Sequence, residues 1–220
     1  MTEACPAPAP AAIHEDDPDL ARLAAEGRVV AYFGYGSLVN RLTLRTRFLG
    51  IRRASVTGWR RAWMRRASPN MALLSVRPDE GFETQGVVVY DHADHLPSVD
   101  EREAAYVRRV VMPGHAIVEN APVPDVPIFI YEASPEEPDA AELGATIMQS
   151  YLDAVLQGFL SLYGEAGVRR FVEETEGFET AILRDREAPL YPRSVILRGG
   201  DAELFDALVA ARGGWFCDPA

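Results

Sequence analysis

The pattern of apolar and polar positions changes about two-thirds of the way along the chain. The first part carries short β-branched and aromatic runs separated by Gly, Pro and Asp turns, which is typical of strands. A short helix is predicted over 19–26. Strands are predicted over 29–33, 51–63, 71–76, 86–90, 107–112, 116–119 and 126–131.

The last third has helical periodicity instead. Apolar residues recur at every fourth position from Ala140 to Tyr163 and form one wide apolar face, which predicts a long packing helix. Further helices are predicted over 168–174 and 202–211, the second ended by Gly213 and Gly214. Strands in short meanders followed by helices, without strict alternation, indicate an α+β fold rather than a doubly wound parallel sheet.

Chain length and the composition of the N-terminal segment predict the domain organisation. Residues 1–17 are rich in Ala, Pro and acids and have no apolar period, so we predict a disordered leader there and one domain over 18–220. No apolar run reaches the roughly 20 residues of a membrane-spanning helix, and no basic and apolar signal segment begins the chain. A cytoplasmic protein without a membrane partner is predicted.

The charge distribution narrows the classes of partner. A formal net charge of -11 argues against general nucleic-acid binding, because phosphate neutralisation needs a basic surface. However, the segment 41–66 has nine arginines and no acidic residue. These arginines could pair with acids elsewhere, steer a small anionic substrate, or contact nucleic acid. The chain has no lysine, which excludes a Schiff base through a lysine.

The first candidate site is the segment FGYGSL at 33–38, directly after a predicted buried strand. Its two glycines let the backbone turn sharply and present successive amide N–H groups, which can hold a small anion or an oxyanion. Neither a dinucleotide fingerprint, a phosphate loop nor a G-x-S-x-G nucleophile elbow is present. An ordinary tight turn is the alternative.

The second candidate site is the acid-rich segment DEREAAY at 100–106, on a helix predicted to begin near Ser98. Residues three apart share a helix face, so Asp100, Glu103 and Tyr106 are expected to line up. One carboxylate on that face could enter a cleft. The alternative is a solvated helix face with local charge pairs.

Together, FGYGSL and D-x-R-E-x-x-Y resemble the gamma-glutamylcyclotransferase family, in particular its ChaC-like branch. The segments VTGWRRAW, ALLSV, QGVVVYD, YVRRVV, SYLDAVLQGF and FVEETEGF are also similar, so the resemblance covers roughly residues 29–185. It implies a small mixed β-barrel with flanking helices and a helical C-terminal third. It also implies release of 5-oxoproline from a gamma-glutamyl compound such as glutathione, a lyase or acyltransferase type of reaction, without a metal or organic cofactor.

The resemblance assigns roles residue by residue. Glu103 matches the catalytic general acid/base, and Tyr106 could support the cavity through its hydroxyl. The segment whose backbone amides hold the gamma-glutamyl moiety matches Tyr35, Gly36, Ser37 and Leu38. Because the α-amino group of the substrate is itself the nucleophile, one carboxylate suffices to take its proton and return it to the departing amine. Burial that raises the pKa of that carboxyl towards working pH would help.

Other readings of the sequence remain. Ser37 lacks a His-containing partner motif for hydrolysis, and the groups that invite a metal, His92, Asp94, His95 and His115, are more typical of a polar surface turn. Ala104 departs from many family members, and the tyrosine-containing C-terminal segment of glutathione-specific members has no clear match. The substrate could be glutathione, another gamma-glutamyl peptide or a gamma-glutamylated amine. A non-catalytic small-molecule-binding or regulatory protein on the same fold is the alternative function.

Overall fold

The computed structural model describes residues 15–44, 47–65, 70–103, 106–133, 140–141 and 144–219. Helices and strands alternate irregularly, which confirms the α+β class. No helix in these ranges is long and apolar enough to cross a membrane. The elements are α1 (Leu20–Ala25), β1 (Val29–Gly34), β2 (Gly50–Arg65), β3 (Met71–His92), α2 (Leu96–Arg102), β4 (Tyr106–Val110), β5 (Ala116–Val118), β6 (Ile128–Ala133), β7 (Thr146–Met148), α3 (Gln149–Glu174), β8 (Ala181–Leu183), α4 (Asp201–Ala211) and β9 (Trp215–Cys217).

The long strand β3 organises a mixed sheet. β2 pairs antiparallel along one edge of β3. On the other edge β7 pairs in parallel with the start of β3, and β1 pairs antiparallel with its end, stopping where Gly34 lies opposite Val87. β6 and β4 continue the sheet beyond β1, while β8 and β9 continue it beyond β7. Between β7 and β1, no strand of the described ranges pairs with that edge of β3, so the sheet splits there.

Side-chain hydrogen bonds connect the two halves of the sheet across this split. The indole Nε1 of Trp59 in β2 donates to Glu132 Oε2 in β6 at 2.9 Å. The next backbone amide, of Ala133, donates to Ser75 Oγ in β3 at 2.8 Å. The end of β6 therefore approaches the first half of β3 without pairing with it. The enclosure expected of a small mixed barrel is made here partly by side-chain hydrogen bonds.

All six residues of β1 are buried, because the strand has neighbours on both edges and packing on both faces. α3 packs against β2 through aromatic rings, since Trp63 in β2 and Tyr151 in α3 lie 5.9 Å apart between ring centroids. Trp63 also lies 5.8 Å from Phe178, which follows α3. This core explains why the chain has an almost unbroken apolar run over 29–33.

Five arginines of the basic segment pair with acids. The ion pairs join Arg47 to Asp17, Arg52 to Asp16, Arg53 to Glu119, Arg60 to Asp79 and Arg61 to Glu174. Arg61 is only 1% exposed, and burial lowers its pKa to about 9. Its Nη1 donates to the carbonyl of Gln85 at 2.6 Å. Much of the local positive charge is therefore matched within the fold.

Several predicted boundaries differ from the structure. The strands predicted over 71–76 and 86–90 are the two ends of the single strand β3. The helix predicted from Ala140 begins at Gln149, because residues 146–148 form β7, and it continues to Glu174 through Gly164, whose φ of 67° interrupts the helix. Residues 1–14 of the predicted leader lie outside the described residues, whereas the amide of Asp17 donates to the Leu49 carbonyl at 2.8 Å.

Gly158 lets α3 approach the turn that follows β1. A Cβ at this position would lie 2.7 Å from the backbone nitrogen of Asn40 and 2.9 Å from its Cα. Helix propensity alone predicts that Gly158→Ala stabilises the helix, but this clash predicts a loss of about 2 kcal/mol in the free energy of unfolding. Urea denaturation measures it, with Gly199→Ala as the control, because no atom lies within 4 Å of a Cβ there. Equal midpoints for the two variants would contradict the close approach.

Candidate active site

The loop after β1 lies in the split of the sheet. A short 3-10 turn over Ser37–Val39 follows Gly36. The first backbone hydrogen bond of this turn is donated by the Val39 N–H to the Gly36 carbonyl, at 3.0 Å. In the described part of the chain, no oxygen accepts from the amides of Gly36, Ser37 or Leu38. These successive N–H groups are therefore available to a ligand.

Gly36 lies close to both α3 and β3, so even a methyl group at this position would be crowded. A Cβ there would lie 3.2 Å from the hydroxyl oxygen of Tyr151 in α3 and 3.3 Å from Cδ2 of Leu74 in β3. The loop is thus enclosed by α3 on one side and by the first half of β3 on the other. The sequence predicted the amide-rich loop, but it gave no indication that Tyr151 would face it.

Glu103 lies on the turn between α2 and β4. The prediction that Asp100, Glu103 and Tyr106 share a helix face is wrong, because α2 spans Leu96–Arg102 and Tyr106 begins β4. Glu103 caps the helix with φ −97° and ψ 24°. Its carbonyl accepts from the Tyr106 amide at 2.8 Å, so the chain turns directly into the strand. Ala104 lies outside the described residues.

Asp100 anchors this turn rather than entering the site. Its carboxylate accepts from the Tyr131 hydroxyl in β6 at 2.6 Å and from Nη1 of Arg108 in β4 at 2.7 Å. The helix before Glu103 and the strand after it are thereby tied to the same carboxylate. The turn that carries Glu103 is consequently held in place by the hydrogen bonds of Asp100.

Three tyrosines and Glu103 converge beside the loop. The Tyr35 hydroxyl donates to the Tyr131 carbonyl at 2.5 Å, and the Tyr106 hydroxyl donates to the Leu74 carbonyl at 3.3 Å. The Tyr151 hydroxyl has no hydrogen-bond partner among the described residues. The Tyr106 bond links the turn that carries Glu103 to Leu74, which lies against Gly36 of the loop.

Burial and nearby charge keep two of these phenols protonated. Burial raises the pKa of Tyr35 well above its usual value, with further contributions from Tyr106 and from the negative charge of Glu103. Burial also raises the pKa of Tyr151, again with Tyr106 and Glu103 contributing, while the positive charge of Arg193 opposes the shift. Both hydroxyls can therefore donate a hydrogen bond throughout the neutral and mildly alkaline range.

A segment that the sequence analysis did not place completes the neighbourhood. Asp185, which is 2% exposed, accepts from the Ser150 amide at 2.8 Å and from the Leu190 amide at 3.0 Å. The Ser150 hydroxyl in turn accepts from the Tyr191 amide at 3.2 Å. The Tyr191 ring consequently packs edge-on against Tyr151, with 5.0 Å between centroids.

Arg186 fixes the same segment to the helices beneath it. Its guanidinium pairs with Asp153 of α3 and with Asp206 of α4, each at 2.8 Å. The feature of the sequence that could have indicated this anchoring is the adjacent pair Asp185 and Arg186, which precedes a proline-containing stretch without strand or helix periodicity. Such a stretch needs buried polar anchors to be held in place.

Other polar groups do not converge on the loop. His95 Nδ1 lies 2.7 Å from the carboxylate of the buried Asp91, the His92 ring packs edge-on against the His95 ring, and His115 lies beside the Thr57 carbonyl. Within the described ranges, no group of three or more His, Cys, Asp or Glu side chains is arranged to hold a metal.

A cleft of about 870 Å³ opens on the surface beyond the 3-10 turn. Among the residues that line it are Val39, Asn40, Arg53 and Arg198, but neither Glu103 nor Tyr151 does. The size of this cleft alone is no argument for catalysis, because neither of these two residues lines it. The surroundings of Gly36 are therefore the candidate active site, since loop amides and a phenol without an acceptor among the described residues lie there, near the turn that carries the Glu103 carboxylate.

Comparison with known proteins finds similarity only among solved structures. No family model and no curated protein matches the sequence. A structure described as a gamma-glutamyl cyclotransferase shares 16% identity, covering 81% of this chain and 99% of that chain, with a TM-score of 0.48. An uncharacterized protein from Homo sapiens shares 17% identity over 82% of this chain and 98% of that chain, with a TM-score of 0.44.

A third solved structure is a gamma-glutamyl cyclotransferase specific to glutathione from yeast. It shares 14% identity, covering 84% of this chain and 96% of that chain, with a TM-score of 0.43. Identities and scores in this range say nothing of substrate or mechanism. Any activity of this chain has to be argued from its own residues.

Proposed function

We propose that this protein is a gamma-glutamylcyclotransferase that releases 5-oxoproline from a gamma-glutamyl peptide such as glutathione, in the cytoplasm. The observation that carries the proposal is the link from the Glu103 turn to the loop: the Tyr106 amide donates to the Glu103 carbonyl, the Tyr106 hydroxyl donates to the Leu74 carbonyl, and Leu74 lies against Gly36. Burial, and to a smaller extent the negative charge of Glu103, also raises the pKa of both Tyr35 and Tyr151. The motif resemblance to the family, including its ChaC-like branch, supports the same roles.

In the proposed reaction, Glu103 takes a proton from the α-amino group of the substrate as that nitrogen attacks the gamma-carbonyl carbon. The new C–N bond closes the five-membered ring and leaves a tetrahedral oxyanion. Collapse breaks the bond to the departing amine, which receives the proton from Glu103. The charges and atoms balance without a further reactant, so the mechanism requires no cofactor.

The loop after β1 has the groups needed to stabilise this oxyanion. The amides of Gly36, Ser37 and Leu38 have no acceptor in the described part of the chain, and the Tyr151 hydroxyl remains a neutral donor beside them. Fixed donors stabilise a developing charge more effectively than mobile water does. The enclosing α3 and β3 would fold the substrate into a reactive conformer.

The direct test is release of 5-oxoproline by the native protein from glutathione, gamma-glutamyl amino acids and gamma-glutamyl amines. Chromatographic detection of 5-oxoproline in proportion to the amine released is the expected result. No release from any of these compounds would reject the proposal in favour of a non-catalytic binding protein.

Tyr151→Phe is expected to lower kcat/KM about tenfold, because one hydrogen bond to the substrate or oxyanion is lost. The free energy of unfolding should change little, since the hydroxyl has no partner in the described structure. Tyr163→Phe is the matched control. Its hydroxyl donates to the Gly86 carbonyl, so this variant should lose stability and keep kcat/KM. If Tyr151→Phe kept kcat/KM and lost stability while Tyr163→Phe lost kcat/KM, the assignment of Tyr151 to the active site would be wrong.

A further inference from the structure

Arg193 stands out among the arginines of the segment that carries Tyr191. Arg184 pairs with Asp218, and Arg186 pairs with Asp153 and Asp206. By contrast, no carboxylate in the described ranges lies within ion-pair distance of the half-buried Arg193. Its guanidinium carbon lies 5.5 Å from the centroid of the Tyr191 ring.

Two buried hydrogen-bond donors without an acceptor lie in the same neighbourhood. The Tyr191 hydroxyl and the Trp63 indole nitrogen are both buried and have no hydrogen-bond partner among the described residues, and their residues are 6% and 0% exposed. Both rings pack against Tyr151, at 5.9 Å for Trp63 and 5.0 Å for Tyr191. Buried donors in folded proteins normally have an acceptor. Beside Tyr151, these two buried donors thus lack an acceptor in the described part of the chain, and the Arg193 cation lies over the Tyr191 ring.

The order of contacts separates Arg193 from the loop. A Cβ at Gly36 would lie 3.2 Å from the Tyr151 hydroxyl, the Tyr151 ring packs against the Tyr191 ring, and the Arg193 guanidinium lies over the Tyr191 ring. The loop amides are proposed to hold the gamma-glutamyl half of the substrate. A group bound at Arg193 would consequently belong to the other half, beyond the bond that breaks.

We infer that Arg193, with the Tyr191 hydroxyl beside it, binds a carboxylate on the departing amine of the substrate. The inference rests on the proposed function and narrows its substrate class to gamma-glutamyl amino acids and peptides, as opposed to gamma-glutamyl amines without that carboxylate. A guanidinium is suited to this role because its planar donors match a carboxylate. In a protein of net charge -11, a local cation also offsets repulsion of an anionic substrate.

The test compares two substrates that differ by this one group. Gamma-glutamyl-alanine carries the carboxylate, and gamma-glutamyl-ethylamide is the same molecule without it. We would measure kcat/KM for 5-oxoproline release from both with the native protein, Arg193→Ala, Arg193→Lys and Tyr191→Phe. Arg169→Ala serves as a control of equal charge change, because Arg169 is exposed and pairs with Glu165 along α3.

The native protein is expected to prefer gamma-glutamyl-alanine by tenfold or more. Arg193→Ala should reduce that preference at least tenfold, Arg193→Lys should keep part of it, and Tyr191→Phe should reduce it a few-fold. Arg169→Ala should leave the preference unchanged. Thermal unfolding checks that each variant is folded.

Three outcomes would overturn the inference. An equal loss of kcat/KM on both substrates in Arg193→Ala would indicate a structural role or contact with the gamma-glutamyl half. An unchanged kcat/KM on both substrates would show that Arg193 does not bind the departing group. Either result leaves the proposed function intact, because 5-oxoproline is still released by the native protein. No release from either substrate would instead reject the proposed function, and this inference with it.

Discussion

Glu103→Gln should lower kcat for 5-oxoproline release by about 10²–10⁴-fold, the usual contribution of general acid–base catalysis. The amide has nearly the shape of the carboxylate but cannot take the proton from the α-amino group. Substrate affinity should change much less, since binding is assigned to the loop amides. Single-turnover release of 5-oxoproline and calorimetric binding of a gamma-glutamyl amino acid measure the two effects separately.

Glu101→Gln is the matched control for this variant. Glu101 lies on α2 two residues before Glu103 and is exposed. The variant makes the same change of charge, two residues away from Glu103. Similar losses in the two variants would indicate a general electrostatic effect rather than proton transfer by Glu103. Full activity in Glu103→Gln would overturn the mechanism outright.

Asp185→Ala is expected to lower the free energy of unfolding by about 3 kcal/mol, because a buried charged acceptor is removed and its donors are left unsatisfied. The Ser150 and Leu190 amides would each lose their bond to this carboxylate. Urea denaturation measures the loss. Asp218→Ala is the control, since the Asp218 side chain is 86% exposed.

The same variant should also lower kcat/KM under conditions where it is still folded. Asp185 orients Ser150, which accepts from the Tyr191 amide, so the segment carrying Tyr191 and Arg193 loses its attachment to α3. If Asp185 positions this segment, Asp185→Ala should lower both the free energy of unfolding and the preference in kcat/KM for gamma-glutamyl-alanine over gamma-glutamyl-ethylamide. An unchanged unfolding midpoint would contradict the role of Asp185 as a buried anchor.

Local sequence patterns predicted most elements because those elements are specified by short-range chemistry. β1 was predicted from a continuous apolar run, and α4 from its periodicity and the glycines after it. The long strand β3 was divided in two because its middle, around Asp79 to Gly81, is polar and resembles a turn. There β2 pairs with β3 on both sides of the polar segment, up to Asp79 and again from Glu83, and the register shift between Thr57 and Gly58 accommodates the unpaired residues between them. This pairing on both sides overrides the local preference.

The sequence alone determined the α+β class and predicted the amide-rich loop at 35–38, because both depend on residue types at fixed local spacing. The choice of Glu103 as the candidate carboxylate came from the resemblance of its motif to the gamma-glutamylcyclotransferase family. Only the tertiary structure decided that α2 ends before Glu103, that Tyr151 faces Gly36, and that Asp185 holds Ser150 and, through it, the segment with Tyr191 and Arg193. The contacts of Tyr151 with Gly36 and of Asp185 with Ser150 join residues more than thirty positions apart, and no local period encodes which distant side chain will supply a hydrogen-bond partner.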